Sequence, residues 1–340
     1  MNSRQFLKRK DWCNTMTNKE ILVLAEQNYG NIHPVTYELI GKALELSEKT
    51  GSKVSCLLVG PEGLPIEEIC YRGASPVYYM ADKCFGDADE MLYKENIVFA
   101  LKKIRPEMVL IGATNFGRSL APRIAGALET GLTADCTDLK ADTDGRIIQI
   151  RPAFSDNILA HIKTTTDPQM ATIRYKEFSE AERDPSRETD IRMMEPHVTD
   201  PVVEVLDTIE LGGVDITKAE VIVAAGRGFK KKEDLVLAQD LADALGGVMA
   251  ASRALVDAGM VTSRIQVGYS GHRVKPKVYI ACGISGAPQH IAGMKESAKI
   301  IAINSDPSAP IFKLADVGYV GDLYEILPRL TERFRKERRS

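Results

Sequence analysis

No two of the six cysteines, at positions 13, 56, 70, 84, 136 and 282, stand at CxxC spacing, which argues against an iron–sulfur cluster or a structural zinc site in this chain. The expected state is free thiols and no metal. No stretch approaches the ~20 consecutive apolar residues of a membrane span, and the basic start MNSRQFLKRKDWCNTMTNK has no apolar signal-peptide segment. Cytoplasmic localisation without membrane insertion is the expectation. A basic, acid-poor start would also fit an organellar transit peptide; a ragged tail over 1–19, with Met16 as an alternative start, is the simpler reading. A charge excess is missing too. Lys and Arg number 44 against 47 Asp and Glu, a net charge of −3, so nothing advertises nucleic acid as a partner.

Two catalytic fingerprints are also absent. No stretch gives G-x-G-x-x-G between a strand and a helix: GRGFKK lacks the third glycine and GATNFG has the wrong spacing. A standard nicotinamide site is therefore not indicated. GISGAPQH is no nucleophile elbow, because Ala287 stands where G-x-S-x-G needs glycine. No catalytic residue is assigned.

What is present is length and rhythm. The 340 residues suit two domains at roughly 150 residues each. From Ile21 to Thr130, short apolar runs alternate with amphipathic stretches, the pattern of parallel strands joined by crossover helices. ILVLAEQ (21–27), VSCLLVG (54–60) and MVLIGA (108–113) read as strands; Val35, Leu39, Ile40, Ala43 and Leu46 recur at helical spacing, as do Ile97, Val98, Leu101 and Ile104. Between Arg146 and Arg174, RIIQIRPAF, NILAHIKTTT and QMATIRY are β-rich without a helix, which predicts an antiparallel strand group. Residues 175–218 turn polar and proline-punctuated, with one β-like run, VVEVLDTIEL, and read as an arm or linker.

The α/β rhythm restarts at Glu220 with VIVAAG (221–226), a helix over 234–245, GVMAAS, VYIACG (278–283), KIIAIN (299–304) and a tail helix near 324–335. The predicted fold is α/β: two parallel-sheet Rossmann-like domains with an antiparallel strand insertion between them. The predicted boundaries are a tail over 1–19, a first domain over 20–210 ending in the arm, and a nucleotide-binding domain over 211–340.

Strand-to-helix turns of an open parallel sheet gather at one edge, where such folds bind ligands. In the second half these turns read Gly226-Arg227-Gly228, Ser252-Arg253, Gly268-Tyr269-Ser270-Gly271, Gly283-Ile284-Ser285-Gly286-Ala287 and Asn304-Ser305-Asp306. Glycine lets backbone N–H groups approach phosphate oxygens, arginine offers a fork of donors, and Asn or Asp suits ribose hydroxyls. One such loop alone is ordinary turn chemistry; five in one lobe point to a phosphate-bearing cofactor. His33, His161 and His197 lie outside these loops and carry no assignment. Of His272 and His290, which lie inside them, His290 is the better candidate, because it sits in the first turn after the glycine loop.

These stretches resemble the alpha subunit of the electron-transfer flavoproteins. SRALVDAGMV (252–261), QVGYSG (266–271), KPKVYIACGISGAPQHIAGM (275–294) and IIAINSDPSAPIFKLADVGYVGDL (300–323) carry the resemblance, with GRSLAPR (117–123) and GLTADCTDL (131–139) in the first half. The resemblance implies FAD bound by the second domain, and a beta subunit as partner carrying AMP or a second FAD. It further implies electron relay to or from an acyl-CoA dehydrogenase-type flavoenzyme. Carried over by position, the cofactor shell is Arg227, Ser252, Arg253, Val267, Gly268, Tyr269, Ser270, Ser285, Gly286, Ala287, Pro288, Gln289, His290, Asn304, Asp322 and Leu323.

Within that shell, Arg253 is expected to favour the negatively charged reduced ring, Ser270 to reach the flavin N5, and His290 to donate toward the pyrimidine edge. Ser285 and Gly286, with the helix start after them, suit the pyrophosphate; Asn304 and Asp322 suit the adenosine end. Many relatives have glutamine at the Tyr269 position and lysine at the His272 position. Tyr269 either stacks on the cofactor or fills the loop. The altered loop motivates a further expectation, NADH-dependent electron bifurcation to ferredoxin. The rival reading is a nucleotide-binding scaffold or sensor without redox activity.

Overall fold

In a computed structural model, residues 18–28, 30–153, 158–206 and 215–337 are described. The expected tail, apart from Asn18 and Lys19, lies outside them. The chain separates into two compact units, Met1–Thr208 and Ile209–Ser340.

The first unit begins with β1 (Asn18–Ala25), a two-residue hairpin of β2 (Gln27–Asn28) and β3 (Asn31–Ile32), α1 (Val35–Thr50), β4 (Lys53–Gly60), α2 (Glu67–Tyr71) and β5 (Val77–Ala81). It continues through α3 (Glu90–Ile104), β6 (Pro106–Gly112), α4 (Asn115–Leu128) and β7 (Leu132–Cys136). The next strands are β8 (Asp138–Ala141), β9 (Ile147–Ala153), β10 (Ile158–Lys163), β11 (Gln169–Ile173) and β12 (Ile191–Met193). Seven strands form one sheet in the order β12-β5-β4-β1-β6-β11-β7, with every pairing parallel. Its central strands are buried on both faces, which is why they read as continuous apolar runs. One core lies between the sheet and α1, with Leu39, Ile40 and Leu46 at its centre; α3 and α4 cover the opposite face through Ile97, Leu101, Leu120 and Ile124.

Three expectations change here. The antiparallel group is β8, β9 and β10 alone; QMATI, expected with it, is β11 and enters the parallel sheet between β6 and β7. Every residue of β11 is buried, and burial on both faces of a parallel sheet, not hairpin geometry, explains its composition. The insertion therefore lies within the first unit and not between the two domains. Finally, the polar stretch after Arg174 is not a loose linker as far as Leu206. Its β12 adds a strand to the β5 edge, Ala181 N–H donates to the Tyr37 carbonyl (3.0 Å), and Val202 N–H donates to the Asp89 carboxylate (2.7 Å). Of the β-like run VVEVLDTIEL, Val202–Leu206 form no strand, and the remainder falls outside the described residues.

The second unit runs β13 (Val221–Ala225), α5 (Val236–Leu245), β14 (Val248–Ser252), α6 (Arg253–Asp257), β15 (Gln266–Val267), β16 (Val278–Cys282), α7 (Pro288–Ile291), β17 (Ile300–Asn304), β18 (Val317–Val320) and α8 (Leu323–Glu337). Its sheet has the order β15-β14-β13-β16-β17-β18, all parallel. This is the 3-2-1-4-5-6 order of a doubly wound fold, and strand order reverses between β13 and β16. The α5 helix ends at Gly246 in the left-handed conformation, the stop expected of a C-terminal glycine.

Candidate functional site

At the reversal point the turns after β13 and β16 interlock. Gly226 N–H donates to the Cys282 carbonyl (2.8 Å) and Gly228 N–H to the Gly283 carbonyl (3.0 Å). A Cβ on Gly228 would lie 2.8 Å from the Gly283 Cα and 2.9 Å from Leu323 Cδ2, so glycine is required for the turns to touch. Gly283 itself has φ of +63°, which glycine adopts without strain.

Above these turns opens a cavity of about 580 Å³. Of the expected shell, Arg227, Ser252, Arg253, Val267, Gly268, Tyr269, Ser270, Ser285, Ala287, Gln289, His290 and Asn304 line it. Gly286, Pro288, Asp322 and Leu323 do not. Gly286, at φ +86°, lets its loop press against the Ile311 backbone; Pro288 opens α7. Leu323 packs beneath the glycine turns. The Asp322 carboxylate accepts from Tyr324 N–H (2.8 Å) at the start of α8, the capping role its residue type favours.

The β15 side of the cavity is shaped by backbone. Gly268 has φ of +150°, Tyr269 N–H donates to the Gln289 carbonyl (2.7 Å), and Gln266 Nε2 donates to Ser270 Oγ (3.2 Å). Tyr269 is 62% exposed, with the Arg273 guanidinium carbon 5.7 Å from its ring centre. The exposed Arg253 has its Nε 3.4 Å from Asp257 one helical turn on. On the β17 side, Asn304 is committed at both ends of its amide: Nδ2 donates to the Ile284 carbonyl (2.9 Å) and Oδ1 accepts from Asp306 N–H (3.0 Å). Asn304 thus holds the loop in shape.

His290 is buried, and its Nε2 lies 3.0 Å from the hydroxyl of fully buried Tyr279. Burial pushes its pKa down to about 4, with the Val267 carbonyl pulling weakly the other way, so the imidazole is neutral. Two buried polar atoms at the cavity, Ser252 Oγ and His290 Nδ1, have no hydrogen-bond partner in the chain. The α7 helix is a single turn whose first residue is proline, so any pyrophosphate grip falls to the glycine-loop N–H groups, not to a helix dipole.

The shell carried over by position leaves out Ala254, Gln266, Asp306, Ala309 and Pro310, which also line the cavity. Asp306 carried a readable signal: an acid about twenty residues beyond a glycine turn, at a strand end, is the ribose-binding position of dinucleotide folds. One oxygen of its carboxylate accepts from Ser308 N–H (2.8 Å) and Oγ (2.6 Å).

Residues 21–198 match the electron transfer flavoprotein domain, and residues 215–295 match the electron transfer flavoprotein FAD-binding domain. The chain belongs to the electron transfer flavoprotein alpha-subunit family. Members similar to it include the lactate dehydrogenase (NAD(+),ferredoxin) subunit LctC of Acetobacterium woodii, 45% identical over 91% of this chain and 75% of that protein. The electron transfer flavoprotein subunit alpha of Thermoanaerobacterium thermosaccharolyticum is 42% identical over 94% of this chain and 98% of its own length. Protein FixB of Azorhizobium caulinodans is 37% identical over 93% of this chain and 89% of its own length. Among the described residues no helix is long and apolar enough to cross a membrane, and no His, Cys, Asp and Glu cluster could hold a metal ion.

Proposed function

We propose that this chain is an electron-carrier subunit that holds FAD across the reversal point of its second unit. Its partners are a beta subunit carrying AMP or a second FAD and an acyl-CoA dehydrogenase-type flavoenzyme. The observation that carries the reading is the cavity itself, about 580 Å³ at the carboxyl edge of a doubly wound sheet, inside the range of cofactor sites. The residues fit the group. Ser252 Oγ and His290 Nδ1 are buried without partners, a costly state that polar atoms of a ligand would relieve, and the glycine turns leave room for close backbone approach.

The bound flavin supplies one- and two-electron chemistry. Arg227 and the N–H groups of Ile284 and Ser285 bind the pyrophosphate. Asn304 and Asp306 face the adenosine end. Arg253 presents a permanent positive charge toward the ring, and Ser270 with neutral His290 offers hydrogen bonds to its polar edge. Arg253, exposed and paired with Asp257 across one helical turn, can change partner when the ring becomes more negative.

The identity to a subunit whose name couples NAD(+) with ferredoxin supports the further reading of NADH-dependent bifurcation to ferredoxin. Purified with its beta subunit, the protein should be yellow, release FAD on denaturation, and reduce ferredoxin from NADH only when an acyl-CoA dehydrogenase-type acceptor is present. A colourless complex that retains AMP alone would favour the nucleotide scaffold. FAD without any reaction with NADH would leave an electron carrier and remove bifurcation.

A further inference from the structure

We infer that Tyr279 is a positioning residue: its hydroxyl donates to His290 Nε2 and thereby fixes the imidazole with its proton on Nδ1. Tyr279 lies on β16 inside the core formed with Val267, Ala281, Met294, Ile300 and Ile311, and its side chain is wholly inaccessible. Its ring and that of His290 are 6.2 Å apart and tilted by 58°, which leaves the hydroxyl 3.0 Å from Nε2. Burial drives the phenol pKa well above its ordinary value, so the oxygen keeps its proton.

In a neutral imidazole one nitrogen donates and the other accepts, and the bond made by one fixes the state of the other. Two tautomers are therefore in competition. If Nε2 carried the proton, the Tyr279 hydroxyl would accept it, and the hydroxyl hydrogen would be left in an apolar core. Nδ1 would then be a bare acceptor with no donor in the chain. If Nδ1 carries the proton, the hydroxyl hydrogen is used and Nε2 is satisfied, and the Nδ1 N–H is left for a partner outside the chain. Only the second arrangement pairs the Tyr279 hydroxyl hydrogen, and a buried polar group left unpaired is the costlier outcome.

The consequence reaches the cavity. His290 follows Gln289, whose carbonyl anchors Tyr269 N–H (2.7 Å), and Val267 begins the turn that lines the β15 side. A proton held on Nδ1 makes the buried, unpartnered nitrogen at the cavity a hydrogen-bond donor and not an acceptor. It is suited to an electron-rich carbonyl or ring nitrogen of a ligand. That last step rests on the flavin reading; the tautomer does not.

The test is long-range proton–nitrogen NMR on the heterodimer labelled with nitrogen-15 histidine, with the His290 signals assigned by their loss in His290→Asn. The expected wild-type pattern is a protonated, pyrrole-type Nδ1 and an unprotonated, pyridine-type Nε2. Tyr279→Phe should move the ratio of the two tautomers by about fivefold or more, the equivalent of one lost hydrogen bond, and should shift the potential of bound flavin. A protonated Nε2 in the wild type would overturn the inference. So would a folded Tyr279→Phe protein with unchanged nitrogen shifts. If Tyr279→Phe does not fold, the wild-type spectrum alone decides. Absence of flavin from the heterodimer would defeat the proposed function while leaving the tautomer readable.

Discussion

Gly226 and Gly283 stand so close across neighbouring strand ends that a Cβ on Gly226 would collide with the Gly283 carbonyl oxygen and press on Ile284 Cγ1 at 2.5 Å. The obstacle is backbone at the centre of a parallel sheet, which cannot swing aside as a flexible side chain would. Gly226→Ala should destabilise the second unit by about 1–3 kcal/mol, the range for forced overpacking, and reduce its FAD content. Urea unfolding read by circular dichroism checks this; an unchanged midpoint would show that the turns separate at no cost.

The Arg253 guanidinium projects from the first turn of α6 and pairs with Asp257. That pair is exposed and contributes little to stability, so the arginine is available to a ligand. Arg253→Ala should leave the unfolding free energy within about 0.5 kcal/mol of wild type. It should lower the flavin reduction potential by about 30 mV or more, equivalent to ~1.4 kcal/mol for two electrons. Spectroelectrochemistry of the heterodimer measures it, and a potential equal to wild type's would remove Arg253 from the ring's surroundings.

The second unit was the more legible in sequence because its turns carry their own chemistry. Gly226, Gly228, Gly283 and Gly286 stand in turns at strand ends, where turn composition marks them in sequence, although what each Cβ would strike lies in a distant segment. Twelve shell residues gather at one cavity for the same reason. What sequence did not reveal depends on contacts between distant segments. The place of β11 depends on which neighbours it pairs with, and five buried residues in a row fit either a hairpin or a parallel core. Asp322, expected at the adenosine end, has one carboxylate oxygen on Tyr324 N–H at the start of α8, a contact that depends on where that helix begins. Tyr279 looks like any core aromatic until His290 is placed beside it.

Asp89 shows how the polar arm is held. One carboxylate oxygen accepts from Met91 N–H (3.0 Å) and Leu92 N–H (3.1 Å) at the start of α3; the other accepts from Val202 N–H (2.7 Å) and Val203 N–H (3.0 Å). Burial pushes its pKa up, but the four backbone donors outweigh burial and hold it below the ordinary value. Asp89→Ala removes a helix cap and takes the acceptor from four backbone N–H groups, that of buried Leu92 among them, at a combined cost of about 1–3 kcal/mol. Limited proteolysis should then cleave near residues 198–206 several times faster than in wild type. Equal cleavage rates would mean that the arm is secured elsewhere.

Glu38 sits on α1 with 5% of its surface accessible and accepts from Lys176 N–H (2.9 Å) in the same arm. Burial raises its pKa to about 7, against the opposing pull of the Lys176 and Phe178 backbone donors and the Lys176 charge, with Glu180 adding to the rise. Because the folded pKa lies above the unfolded one, the protonated form is the one folding favours. Its contribution is complete below pH ~4.5 and is lost as pH rises through about 7. Between pH 5 and pH 8 the wild type should therefore lose up to about 3 kcal/mol relative to Glu38→Gln, because each tenfold change in proton affinity between the folded and unfolded chain is worth about 1.4 kcal/mol. The glutamine keeps an acceptor for Lys176 and has no charge to bury. Urea midpoints of both proteins at the two pH values give the comparison, and parallel pH profiles would mean that Glu38 ionises in the folded protein as it does in water.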